Sequence, residues 1–243
     1  MFHSDSAYDS FMGRFSTRLA PLFADFAGVG EGAEVLDVGA GTGALLGELV
    51  RRGADASAVE PSIAFVQAMR LRFPGIDIRA AGAEELPWPD AFFDAALGQL
   101  VVSFMHDAPA GLLEMRRVVR PGGVVAVAMW DVESMEMLAA IDRTRDALGY
   151  AREAGRYRTR GEIAALVGDG ADVELLEVDA SYEGFEDFWS ALAGGAGPAG
   201  VWAASLDDGE REAARDELRR QLGDPEGAFA LTGRAWAARV RPA

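Results

Sequence analysis

Between Glu34 and Trp130, five short apolar runs are interleaved with segments of helical spacing, and this alternation limits the possible folds more than any other feature of the chain. The runs cover Glu34–Val38 and residues 54–60, 76–80, 93–98 and 124–130. Helical spacing fills residues 43–52, 62–73 and 110–119. Strands separated by helices predict a parallel sheet with a helical layer on each face. The last run, VVAVAMW, is apolar at nearly every position, as a strand covered on both faces must be. Right-handed crossovers then fix the winding. The first three strands run outward from the centre on one side and the following ones fill the other. A switch point opens at the carboxyl end of the first strand, and ligands bind there in such sheets.

The flanking segments are less regular. Residues 8–27 place Phe11, Phe15, Leu19, Leu22, Phe23 and Phe26 at helical spacing, and glycines at 28 and 30 end the pattern. Pro121-Gly122-Gly123 predicts a sharp turn before the fifth strand. Beyond it, residues 135–148 and 159–167 are expected to be helices, and 173–180 and 227–240 strands. Residues 182–224 contain a GGAGPAG linker and the charged helix DDGEREAARDELRRQLG, and are expected to form a lid-like insertion. The chain is expected to be one domain over residues 1–243, with residues 1–30 as a helical cap.

Composition excludes several chemistries. The 39 acids outweigh 23 bases, giving a net charge of −16, and every one of those bases is arginine. Without lysine there is neither a Schiff base nor a phosphate-binding P-loop. The acidity argues against nucleic acid, which needs clustered cations, and no basic amphipathic face is present for an anionic membrane. No apolar run reaches the roughly 18 residues a membrane helix requires. The absence of cysteine removes disulfides and thiolate chemistry and fits a cytoplasmic location. Two histidines are too few for a histidine-rich metal site, and no metal is expected.

The corner VLDVGAGTG joins the first strand to the helix after it. Residues without a Cβ take the dihedrals of that turn and let a ligand touch the backbone. The helix N-terminus beyond presents unpaired N–H groups. Gly39, Gly41 and Ala44 satisfy a tolerated dinucleotide fingerprint, so spacing alone admits NAD(P) as well as S-adenosylmethionine. Asp37 favours the latter, because a carboxylate there repels a pyrophosphate and attracts a sulfonium or ammonium group; it also suits an aspartate that fixes the turn locally. Glu60 ends the second strand, where an acid accepts ribose hydroxyls or is simply a strand-end charge.

Four ordered stretches, VLDVGAGTG, AVEPS, AGAEELPWPDAFFDAALGQLVVSFMHD and VVRPGGVVAVAMWD, resemble the class I S-adenosylmethionine-dependent methyltransferases of the type 11 group. The resemblance implies a Rossmann-like, doubly wound α/β fold with seven strands, mostly parallel, the last antiparallel. It implies S-adenosylmethionine as cofactor and a small-molecule methyl acceptor. Asp37, Gly39, Ala40 and Gly41 would line the methionine portion and sugar, and Glu60 would hold the ribose. Pro61 would flank the adenine, Ala83 and Glu84 would meet its edge, and Gln99 and Leu100 would border the methionine end. Relatives often carry an aspartate before the Ala-Glu pair, where this chain has Gly82, which shifts the adenine contact to Glu84 or backbone. Tyr8 and Arg14 lie in a segment that closes over the cofactor in similar enzymes; Arg14 would pair with its carboxylate or remain a surface arginine. His106 is the candidate base, with Asp107 beside it, or else an exposed loop histidine. Phe104, Trp130, Trp189 and Trp202 are candidates for an acceptor pocket or for core packing. The alternatives are an NAD(P)-dependent oxidoreductase and a cofactor-binding module without catalysis.

Overall fold

The computed structural model describes residues 5–151, 155–195 and 197–242. Seven strands form one sheet in the order β3-β2-β1-β4-β5-β7-β6. These are β1 (Glu34–Val38), β2 (Asp55–Val59), β3 (Asp77–Arg79), β4 (Phe93–Gln99), β5 (Val119–Trp130), β6 (Asp172–Tyr182) and β7 (Phe229–Val240). Strands β1 to β5 pair in parallel and β7 runs antiparallel to β5, as expected. The order reverses beside β1, whose Asp37 faces Ala58 of β2 on one side and Leu97 of β4 on the other. Ten helices lie among the described residues: α1 (Asp5–Ser10), α2 (Gly13–Ala27), α3 (Ala44–Arg51), α4 (Ile63–Arg72), α5 (Ala108–Val118), α6 (Glu136–Ala147), α7 (Arg160–Val167), α8 (Phe185–Ala193), α9 (Gly197–Ser205) and α10 (Asp208–Gln221). None of them is long and apolar enough to cross a membrane.

Contacts divide the chain into two compact units. The larger comprises Ser16–Trp130, Arg156–Leu176 and Ala235–Ala243. Its core joins Leu36, Val38, Val59, Ala96, Val125 and Val127 of the strands to Met115, Val118, Ile163 and Val167 of α5 and α7. These strands are buried on both faces, which is why their sequences are apolar without alternation.

The sharp turn expected at Pro121-Gly122-Gly123 falls inside β5 rather than before it. It lies within the span of β5, where the pairing jumps from Phe93↔Val119 to Ala95↔Val124 and Gly122 turns at φ 78°, so the extra residues bulge out of the ladder.

The smaller unit comprises Met1–Phe15, Asp131–Gly155 and Glu177–Arg234. Its core is aromatic: Tyr182 meets Phe188 edge-on at 5.1 Å and stacks on Phe229 at 5.4 Å, and Phe11 meets Phe188 at 6.4 Å. Of the predicted GGAGPAG linker, Gly194 and Gly195 lie between α8 and α9, and the last four residues belong to α9. Pro198 lies in the first turn of α9, where its fixed φ favours helix. A Cβ at Gly200 would come within 2.7 Å of the Gly195 backbone, so glycine there serves close approach.

Candidate functional site

The candidate site, at the carboxyl ends of β1, β2 and β4, lies within the larger unit. Beyond β1 the chain turns through residues 39–43 into α3. Gly39 and Ala40 both donate N–H to the Val59 carbonyl, at 2.8 and 3.1 Å, which ties the turn to the end of β2. Gly39, Gly41 and Gly43 all have positive φ, at 70°, 57° and 87°. Their surroundings differ. A Cβ on Gly39 would overlap the Val101 side chain, and one on Gly43 would come within 2.7 Å of Phe73. Nothing lies within 4 Å of the position a Cβ would take on Gly41. Two glycines are therefore required by the protein's own packing, and Gly41 presents bare backbone to open space.

Glu60 closes the corner from β2. One carboxylate oxygen accepts the Gly41 N–H at 3.0 Å and the other accepts the Ser62 N–H at 2.9 Å. Burial raises its pKa, and these two N–H bonds oppose the rise. A carboxylate has about four acceptor positions, so two remain for further donors such as adjacent hydroxyls. Asp37 lies beneath the turn and is only 1% exposed. Burial pushes it up to about 8, against a Leu46 N–H bond that lowers it, and nearby Glu60 adds to the rise. Its Oδ2 is buried without a hydrogen-bond partner.

The third and fourth strand ends complete the corner. Ala83 is buried, and Glu84 accepts the Asp107 N–H at 3.1 Å. A Cβ on residue 82 would come within 2.9 Å of the other Glu84 oxygen, so glycine at this position leaves room for that carboxylate. Pro61 is exposed, and so is Ile63, an apolar side chain two residues on that the sequence did not single out. Gln99 donates to the Ser16 carbonyl at 3.0 Å, leaving its own Oε1 and the Ser16 hydroxyl buried without partners. Ser16 was not singled out either; its signal was a polar residue on the otherwise apolar, buried side of α2. Leu100 has φ 63°, a conformation costly for a branched-chain L-residue, and such strain gathers at functional corners.

His106 is exposed. Asp107 is not oriented toward it: the carboxylate caps α5 by accepting the Ala110 N–H at 3.0 Å. Asp107→Ala is expected to lower stability by about 1 kcal/mol, the usual value of such a cap, as measured by urea unfolding. Phe104 is exposed and Trp130 is buried at the end of β5.

The remaining sequence candidates belong to the smaller unit. Arg14 uses its fork on Asp187, with contacts of 2.7 and 2.5 Å, and lies over the Tyr182 ring at 4.7 Å. That guanidinium holds the Asp187 carboxyl below its usual range. Tyr8 lies in α1. Trp189 stacks on Phe185 at 6.5 Å, and Trp202 is bordered by Tyr150 at 5.7 Å and the Arg145 guanidinium at 5.0 Å. Both tryptophans are buried in this unit's own core.

Comparison with known proteins gives a consistent picture. Residues 36–127 match the family model described as a methyltransferase domain, type 11. The demethylmenaquinone methyltransferase of Renibacterium salmoninarum is 36% identical over 107 residues, which is 44% of this chain and 45% of that protein. The malonyl-[acyl-carrier protein] O-methyltransferase of Serratia marcescens is 33% identical over 107 residues, 44% of this chain and 42% of that one. An uncharacterized Mycobacterium tuberculosis protein is 30% identical over 159 residues, covering 63% of this chain and 58% of its own length. The chain thus spans about half the length of these relatives. A solved structure described as a type II methyltransferase from Anaeromyxobacter dehalogenans superposes with a TM-score of 0.67 at 24% identity, covering 92% of this chain and 97% of that one, which speaks for the fold.

Proposed function

We propose, for a chain whose residues 36–127 belong to the class I, type 11 methyltransferases, that it transfers the methyl group of S-adenosylmethionine to a small-molecule acceptor. The observation that carries this assignment is the open space at Gly41 beside the backbone-anchored Glu60 carboxylate. When bound, the cofactor supplies a methyl group on a sulfonium, whose departure as a neutral thioether favours transfer. The residues fit such a group: bare backbone at Gly41, a carboxylate for adjacent hydroxyls at Glu60 and a buried acid for a cation at Asp37. Pro61 and Ile63 offer an apolar face for a base, with Ala83 and Glu84 at its edge. Gln99 and Leu100 border the opposite end, where the unpartnered Gln99 oxygen accepts a donor such as an ammonium.

For in-line transfer the protein's task is alignment and exclusion of water. A base is needed only when the acceptor must lose a proton, and exposed His106 is the group placed after β4 for that role. The name of the Renibacterium relative supports a small-molecule acceptor, and that of the Serratia relative describes a small malonyl group carried on a protein.

Calorimetric titration with S-adenosylmethionine and with NAD(P) tests the proposal. Binding of the first alone supports it, and binding of the second alone ends it. Glu60→Ala is expected to weaken S-adenosylmethionine binding by about 1–3 kcal/mol, the cost of losing a charged hydrogen-bond acceptor. The same titration checks this value.

A further inference from the structure

Asp37 is an acid buried beneath the cofactor corner, with one backbone donor and one oxygen left without a partner. We infer that Asp37 and Glu60 make this corner charge-selective at the sulfur: a cationic sulfonium donor expels a proton from Asp37 on binding, and its product, a thioether neutral at that atom, does not. The inference presupposes the methyl-transfer function proposed above.

The groups on the neighbouring elements leave Asp37 without a counter-charge. From the end of β2 it is faced by Glu60, a second acid, whose two hydrogen bonds both come from backbone N–H groups. Asp55 lies at the opposite end of β2, level with Glu34. From α3 comes only the Leu46 N–H, because Glu48 on the same helix is held by Arg51 and Arg52 at 2.7 and 2.6 Å. On β4 the carboxylate Asp94 is at the far end, paired with Arg120 at 2.7 Å, and Gln99 at the near end is neutral. Arg72 of α4 reaches the turn but donates to the Thr42 carbonyl at 3.4 Å and lies over Phe73.

Two neighbouring acids in a desolvated corner do not both ionise readily, and Asp37, the more deeply buried, keeps its proton. A cation entering the corner supplies the missing counter-charge and favours the carboxylate. A neutral thioether brings no such charge at the sulfur. By linkage, donor affinity rises with pH by up to about tenfold per unit until Asp37 ionises unaided, and product affinity changes much less. The corner's preference for donor over spent product therefore grows with pH.

The test is calorimetric titration of the full chain near pH 7 with S-adenosylmethionine and with S-adenosylhomocysteine, each in phosphate and in Tris, whose ionisation heats differ. The expected result is release of close to one proton per donor bound, far less for the product, and none for donor binding to Asp37→Asn. Measurable donor binding with the same heat in both buffers overturns the inference and leaves the methyl-transfer function standing. Absence of binding by either nucleoside overturns both. Should Asp37→Asn fail to fold, the wild-type donor-to-product affinity ratio decides: growth with pH supports the inference and a constant ratio overturns it.

Discussion

Gly41→Val is expected to weaken S-adenosylmethionine binding by about a hundredfold or more, equivalent to roughly 3 kcal/mol, while the chain still folds. The reason lies in the differing surroundings of the three glycines. The space a Gly41 side chain would enter holds no protein atom within 4 Å, so the branched carbon fills only the volume assigned to the ligand. A folding cost arises separately from the positive φ of 57° and is on the order of 1–2 kcal/mol for a residue with a Cβ. Gly41→Ala carries much of that strain without the two methyl groups, so it separates strain from occupation and should bind better than the valine variant. Gly39→Val should behave in the opposite way and lose stability first, because its Cβ overlaps Val101. Calorimetry paired with thermal unfolding distinguishes these outcomes. Unchanged affinity in Gly41→Val would remove the corner from the binding site.

The second large effect is a dependence of stability on pH. Burial lifts Asp37 to about 8 in the folded chain, against about 3.9 for an aspartate in an unfolded one. Between those values the folded state keeps a proton that the unfolded state releases. Stability therefore falls as pH rises through this window, by up to about 1.4 kcal/mol per unit, and levels off above about 8. Glu60, also raised by burial, adds a smaller change of the same sign. Arginine-paired acids such as Glu48 and Asp187 are lowered, so they stabilise the fold above the ordinary carboxylate range and lose that contribution only at lower pH. They do not mask the Asp37 window. In urea unfolding between about pH 5 and pH 8, the wild type should lose several kcal/mol that Asp37→Asn retains. Parallel curves for the two proteins would show that Asp37 is ionised in the folded state.

The larger unit was legible in the sequence because its signals are local. Unbroken apolar strands, a glycine turn and a proline or serine at a helix start each act within a few residues. β1 matches the expected Glu34–Val38, and the helix expected over 62–73 is α4, Ile63–Arg72, with Ser62 as its cap. The order of β1 to β5 followed from handedness rules applied to that alternation. Segments whose state depends on distant partners were harder to read. Pro121-Gly122-Gly123 does turn, with Gly122 at φ 78°, but it does so as a bulge within β5, because β4 pairs with that strand on both sides of it. GGAGPAG has linker composition, yet its last four residues belong to α9, where Gly200 lies too close to the Gly195 backbone for a Cβ.

The same distinction holds for side chains. The types and order of Asp37, Gly41 and Glu60 were readable, but the link between Glu60 and the Gly41 N–H was not, because 19 residues separate them. Arg14 looked available until Asp187, 173 residues away, occupied its fork. Asp107 looked like a partner for His106, but the nearer demand was the exposed N-terminus of α5. An N-cap is a local signal that the Asp-Ala-Pro sequence already carried.

A crystal structure of the chain with S-adenosylhomocysteine tests the central claim most directly. The expected result is ribose hydroxyls on the Glu60 carboxylate and the nucleoside's amino-acid end over the Gly41 backbone. A nucleoside bound elsewhere, with Glu60 still held only by the Gly41 and Ser62 N–H groups, would contradict it.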